Sequence, residues 1–184
     1  MMEQQAQKIE RRQCDVLVIG GGPAGSTVAP MLAEKGHRVV MLEKAHHPRF
    51  HIGESLLPAN LPLFERMGIA EEVKAIGMLK PGAEFVSPNH DMSSVFCFAE
   101  AWDKSMPYAY QVRRDQFDTV LIRNAAKKGV EVHEGCKAKA VEFLPDNTVL
   151  VRAVHDDGSE SEWHARFLVD ASGRDTFLAN RFQI

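Results

Sequence analysis

Cysteine is scarce and scattered in this chain. Its three copies, Cys14, Cys97 and Cys136, are odd in number and form no C-x-x-C pair, which argues against a disulfide scaffold and against a zinc site. They read instead as small buried hydrophobes in a reducing cytoplasm. No apolar run approaches the length needed to span a bilayer, and no secretory signal opens the sequence. An excess of one charge is also missing. The 22 basic residues face 25 acidic ones, with no basic stripe or aromatic-interleaved patch suited to nucleic acid. Neither an internal repeat nor a low-complexity linker interrupts the chain. His46, His47 and His51 crowd one loop, but no carboxylate or cysteine pattern supports a metal there, and none is expected. Residues 1–12 are polar and charged and are expected to form a disordered leader. The remainder has the length and composition of a domain with a real core.

What is present begins immediately after that leader. Asp15-Val16-Leu17-Val18-Ile19 reads as a short buried strand and runs straight into Gly20-Gly21-Gly22-Pro23-Ala24-Gly25, a G-x-G-x-x-G fingerprint. A helical stretch follows to Lys35, Gly36 stops it, and residues 38–42 read as a second strand ending on Glu43. Each glycine has its own physical role. Gly20 permits the tight turn, Gly22 lets the backbone approach a pyrophosphate, and Gly25 allows helix and strand to pack closely. The helix N-terminus presents unpaired N–H groups and a positive dipole end to the diphosphate. Glu43 is placed to accept hydrogen bonds from the adenosine ribose. A glycine-rich turn alone would be weak evidence. Strand, helix, second strand and acid together predict an adenine-dinucleotide site, although the fingerprint does not separate FAD from NAD.

Further along, Ser55 is expected to cap a helical segment carrying Leu56, Leu57, Leu61, Phe64 and Met67, distorted by Pro58 and Pro62. Pro30 is likewise expected to kink the first helix. A helix over 70–76 ends at Gly77, and short strand-like runs near 84–86 and 95–98 predict a separate mixed sheet. Phe117, Leu121 and Ala125 mark an amphipathic helix over 114–128, capped by Gly129. A strand over 130–133 precedes three strands in a meander, with turns at 145–147 and 156–158. The last of these, Phe167-Leu168-Val169, is wholly apolar and should return to the parallel sheet. The expected fold class is α/β, an open parallel sheet with a β-meander. Residues 13–81 and 111–184 are expected to form the dinucleotide domain, and 82–110 part of a mixed-sheet substrate element.

Four stretches carry a resemblance to known flavoproteins. Arg49-Phe50-His51-Ile52-Gly53-Glu54-Ser55-Leu56-Leu57-Pro58 is similar to the G-E-S-L-L-P loop that lies near the flavin in flavin-dependent halogenases. Val112-Arg113-Arg114-Asp115-Gln116-Phe117-Asp118 resembles their V-x-R-x-x-F-D segment, with Arg114 at the position that contacts FAD. Asp170-Ala171-Ser172-Gly173-Arg174 resembles the place where hydroxylases and geranylgeranyl reductases carry an Asp-Gly pair for FAD and pyridine nucleotide. Ser172 stands for that acid here, as in halogenases, and a serine also simply suits a turn. Lys80, before Pro81-Gly82-Ala83-Glu84-Phe85, resembles an essential halogenase lysine, whereas on composition alone most lysines are surface solubility residues. From Gln13 onward the chain resembles the para-hydroxybenzoate hydroxylase and geranylgeranyl reductase-like oxidoreductases. Within that group it resembles the halogenases of phenols and pyrroles.

The resemblance implies a Rossmann-like FAD-binding fold. It implies FAD held by Gly20, Gly22, Pro23, Ala24, Gly25, Glu43, Lys44, Arg49, Gly53, Glu54, Ser55, Arg114, Asp170 and Gly173, with Lys80 catalytic. A separate flavin reductase would supply FADH2, and dioxygen and a halide would yield hypohalous acid. Lys80 would orient that oxidant, or capture it as a haloamine, and deliver halogen to an electron-rich phenolic or pyrrolic ring, free or tethered to a carrier protein. No nucleic-acid or membrane partner is expected. Two alternatives stay open: an NAD(P)H-dependent monooxygenase or geranylgeranyl reductase-like enzyme, and a non-catalytic flavin-binding module. Trp102 and Trp163 stand alone, without the Trp-x-Trp-x-Ile-Pro stretch of halogenases or a later Gly-Asp segment for the ribityl chain. The chain is therefore expected to be the N-terminal part of a longer enzyme and inactive alone.

Overall fold

The computed structural model describes residues 9–183. In chain order its elements are β1 (Glu10–Ile19), α1 (Pro23–Ala33), β2 (Val39–Leu42), α2 (Leu61–Met67), α3 (Ala70–Ile76), β3 (Gly77–Lys80), β4 (Gly82–Ser87), β5 (Met92–Cys97), β6 (Ala109–Val112), α4 (Arg114–Lys127), β7 (Glu131–His133), β8 (Cys136–Phe143), β9 (Val149–His155), β10 (Glu160–Asp170) and α5 (Phe177–Phe182). They fall into two compact units, one of residues 9–47 and 121–183, the other Pro48–Val120.

The first unit is built on a sheet of order β7-β2-β1-β10-β9-β8, parallel from β7 through β10 and antiparallel beyond. The apolar run of β1 is buried on both faces, as a central parallel strand requires. Side chains alternate across a strand, so Val16 and Val18 pack with Ala29, Met41, Ile122 and Ala125, while Leu17 and Ile19 pack with Val151 and Trp163. β10 has two roles. It ends the antiparallel meander from β8 through β9, and it lies parallel to β1 over the whole of that strand, from Glu10 against Ser161 to Ile19 against Asp170. α1 runs through Pro30 to Ala33.

The expected disordered leader is corrected at its end. Glu10, Arg11 and Arg12 belong to β1, because the meander strand offers ladder partners at Ser161, Glu162 and Trp163. Their charges are also used: Arg12 lies 5.1 Å over the Trp163 ring and pairs with Glu10 and Glu131. Residues 1–8 of that leader lie outside the described residues.

In the second unit β3 pairs with β6 and β4 with β5, both antiparallel. Among the described residues these are two separate two-stranded pairs rather than one mixed sheet. The pairing of β3 with β6 places 77–80 and 109–112 together within this second compact unit. Phe64 packs edge-on against Phe117, the first buried apolar position of α4. All three cysteines are free. Burial pushes the Cys14 thiol up to about 12 and the Cys136 thiol up to about 11, but Cys97 is exposed, contrary to the expectation that all three are buried. Among the described residues no helix is long and apolar enough to cross a membrane.

Candidate functional site

In the first unit three strands end at one level. Ile19 pairs with both Leu42 and Asp170, the Gly20 N–H donates to the Leu42 carbonyl at 2.8 Å, and the Ala171 N–H donates to the Ile19 carbonyl at 2.8 Å. The glycine-rich turn, Glu43 and residues 170–173 therefore emerge side by side at the carboxyl edge of the sheet, where open α/β folds bind ligands. Gly20 has φ +105°, and a Cβ there would lie 2.3 Å from the Ala171 carbonyl oxygen. A Cβ on Gly25 would lie 1.9 Å from the Gly20 oxygen, so only glycine lets α1 approach the turn this closely. Gly22 is the N-cap of α1 and no side chain caps that end, which leaves the first-turn N–H groups of Ala24 and Gly25 for an anion. Pro23 takes the first helical position, where its missing N–H costs nothing.

Glu43 is buried, and each of its oxygens already has a backbone donor. Oε2 accepts the Gly21 N–H at 2.6 Å and Oε1 the Ala45 N–H at 2.8 Å. The carboxylate is thereby locked against the fingerprint. Asp170 is fixed in the same way, accepting the Ser172 N–H at 3.0 Å and the Leu178 N–H at 2.8 Å. Burial pushes its carboxyl up, but the Ser172 side chain and the Leu178 and Ser172 N–H groups together outweigh burial and hold it below the usual range. The Ser172 Oγ accepts the Phe177 N–H at 2.9 Å, so this serine does serve the turn into α5. Gly173 has φ +66°, and Lys44 is ion-paired with Asp175. Sequence reasoning missed Ser26, buried in α1, whose Oγ donates to the Gly21 carbonyl at 3.0 Å and braces the turn.

The second unit holds the other candidates. Ser55 does not begin a helix: it forms a bridge with Gln111, the Leu56 N–H donates to the Tyr110 carbonyl, and the Val112 N–H donates to the Glu54 carbonyl. The backbone at 54–56 is thus extended along β6, and the helical turn starts only at Pro58, whose ring disfavours helix in the residue before it. Ser55 therefore does not cap the helical segment as expected. Arg114 is buried and grips Asp118 through Nε at 2.7 Å and Nη2 at 2.9 Å, while Nη1 donates to the Ile52 carbonyl at 2.7 Å. Arg49 lies 3.7 Å from the same carboxylate. Arg114 thereby pins the loop at Gly53, whose φ is +91°. Asp118 was given no role of its own in the sequence motif, although its four-residue spacing from Arg114 was a usable signal.

Lys80 ends β3, half-buried. Its Nζ donates to the Ser55 Oγ and to the Leu56 carbonyl, each at 2.6 Å, and lies 5.5 Å from the centre of the Phe98 ring. Lys80 and the G-E-S-L-L loop, singled out separately in the sequence, are thus in direct contact. The three loop histidines go to separate partners: His46 to Asp156, His47 to Glu134 and His51 to the Ile52 carbonyl.

A model of the FAD binding domain family matches residues 13–184. The chain belongs to the FAD-binding domain family. Its cofactor is FAD, and the uncapped α1 terminus, the glycine cradle and the anchored Glu43 carboxylate suit the dinucleotide portion of that molecule. A flavin-dependent halogenase of Armillaria mellea is 40% identical over 174 residues, which cover 91% of this chain and 34% of that protein. A 1H-pyrrole-2-carbonyl peptidyl-carrier-protein chlorinase of Pseudomonas fluorescens is 35% identical, over 91% of this chain and 41% of its own length. Among solved structures, the myxobacterial chondrochloren halogenase has a TM-score of 0.81 and 42% identity, covering 88% of this chain and 38% of that one. The chain spans between 34% and 41% of the length of these two curated relatives.

Proposed function

We propose that this chain is the FAD-binding part of a flavin-dependent halogenase acting on an electron-rich phenolic or pyrrolic ring. The observation that carries the reading is Lys80, whose amine is held by Ser55 and Leu56 within the loop that resembles that of halogenases. The likeness to named halogenases at 35–42% identity supports it. Gly20, Gly22, Pro23, Ala24, Gly25, Glu43 and Lys44, with Asp170 and Gly173, hold the dinucleotide, and Arg49, Gly53, Glu54, Ser55 and Arg114 form the flavin-side loop and its support. When bound, reduced FAD with dioxygen and halide supplies hypohalous acid. The Lys80 amine donates a hydrogen bond to that oxidant, or exchanges one N–H for an N–halogen bond with loss of water. The halogen then passes to a ring carbon as the ring proton returns to nitrogen. A separate flavin reductase, a halide and an aromatic substrate, free or tethered to a carrier protein, are the proposed partners. The cytoplasm, where free thiols persist, is the proposed compartment.

The test mixes the FAD-loaded full-length protein anaerobically with NADPH and then NADH while flavin absorbance is followed. An oxidised flavin that bleaches only on adding a flavin reductase, followed by halogenated product in air with chloride or bromide, is expected. Rapid bleaching by either pyridine nucleotide alone would move the assignment to a monooxygenase or reductase. The Lys80→Ala variant should bind FAD and form no halogenated product.

A further inference from the structure

The geometry points to Ser55 as a positioning residue for Lys80, an inference that rests on the halogenase reading of that lysine. An ammonium has three N–H bonds. In Lys80 two of them are directed, one to the Ser55 hydroxyl and one to the Leu56 carbonyl, both at 2.6 Å. The Phe98 ring lies 5.5 Å away, within cation–π range. With two bonds assigned and an aromatic face alongside, the direction of the third N–H is set by the protein rather than by a flexible four-carbon stem.

The acceptors are themselves held. Ser55 bridges to Gln111 and the Leu56 N–H donates to the Tyr110 carbonyl, so both sit on β6. The strand that ends in Lys80 pairs with the same β6, with Lys80 opposite Ala109. Phe98 is tied to this arrangement by its N–H, which donates to the Pro81 carbonyl at 2.9 Å. One strand therefore fixes both the lysine backbone and its acceptors, and the next residue, Pro81, fixes the ring. A surface lysine kept for solubility needs none of this. A lysine that must hold a small oxidant, or carry a halogen toward one ring carbon, needs its nitrogen in a constant orientation, since small misplacements of a reacting group are costly. The Ser55 hydroxyl, accepting from Lys80, also keeps its own proton to donate.

The test compares wild type with Ser55→Ala and Ser55→Thr in the full-length FAD-loaded protein. One readout is the nitrogen–proton NMR signal of the Lys80 ammonium, which needs no turnover. The other is the split of oxidising equivalents between halogenated product and hypohalous acid caught by an added scavenger, per bound FAD. Ser55→Ala is expected to erase the slow-exchanging Lys80 signal and lower the product-to-leak ratio about tenfold, the effect of losing one hydrogen bond to a charged group. Ser55→Thr should restore both. If Ser55→Ala does not fold, Ser55→Cys, which keeps the volume and weakens the acceptor, should show the same losses. An unchanged Lys80 signal and an unchanged product-to-leak ratio in Ser55→Ala would overturn the inference. A protected Lys80 signal in a wild-type protein that makes no halogenated product would instead refute the halogenase reading, leaving the hydrogen bond itself intact.

Discussion

Arg114 ties the start of α4 to the loop at Ile52 and Gly53 in the second unit. Its guanidinium meets the fully buried Asp118 carboxylate in two parallel hydrogen bonds and reaches the Ile52 carbonyl with a third. Removing one partner of a buried ion pair leaves a charge in a poor solvent, which costs about 3–5 kcal/mol. Arg114→Ala is therefore expected to destabilise the protein by about 3 kcal/mol, the lower end of that range, because Arg49 stays within 3.7 Å of Asp118. Chemical denaturation of the two proteins measures this, and a loss under about 1 kcal/mol would show that the pair contributes little. Arg114→Lys should recover only part of the loss, since lysine lacks the planar fork that matches the carboxylate.

At the scale of elements, the contact between α1 and the turn after β1 leaves no room for a side chain. A Cβ on Gly25 would sit 1.9 Å from the Gly20 oxygen, so Gly25→Ala must push the helix away from the strand. The expected outcome is a loss of about 1–3 kcal/mol from overpacking together with weakened FAD binding, read by thermal melting and flavin titration. An alanine variant with unchanged affinity would show that the helix can shift without harm. This tight unit was also the most legible part of the sequence, because strand, fingerprint, helix and Glu43 are contiguous and each obeys a local rule. The amphipathic α4 and the meander turns were legible for the same reason. Ser55 was not, because its backbone is claimed by β6, far along the chain, and local helix signals cannot register that competition. Asp170 and Ser172 were located correctly at the end of β10, but their side chains turn back to nearby N–H groups that only the folded turn reveals. Likewise nothing local to Lys80 announces Phe98 or Leu56 as its neighbours.

For the molecule as a whole, the three thiols report its protected and open regions. Cys14 and Cys136 lie in the sheet core with thiols raised by burial to about 12 and about 11, while Cys97 is exposed on β5. A thiol reagent near pH 8 should modify Cys97 rapidly and the other two only once the sheet opens in denaturant, as peptide mass spectrometry resolves. Modification of Cys136 as fast as Cys97 in native buffer would contradict the buried placement. The pairing of β1 with β10 has one more consequence. These neighbours come from positions 151 residues apart, as Arg11 and Glu162 illustrate, with the other strands and all but the last helix made in between. During synthesis β1 emerges well before β10, so one whole side of its ladder stays unmatched until β10 leaves the ribosome. Contacts of such long range form slowly. Until then the unpaired apolar edge of β1 is open to misassembly with other chains.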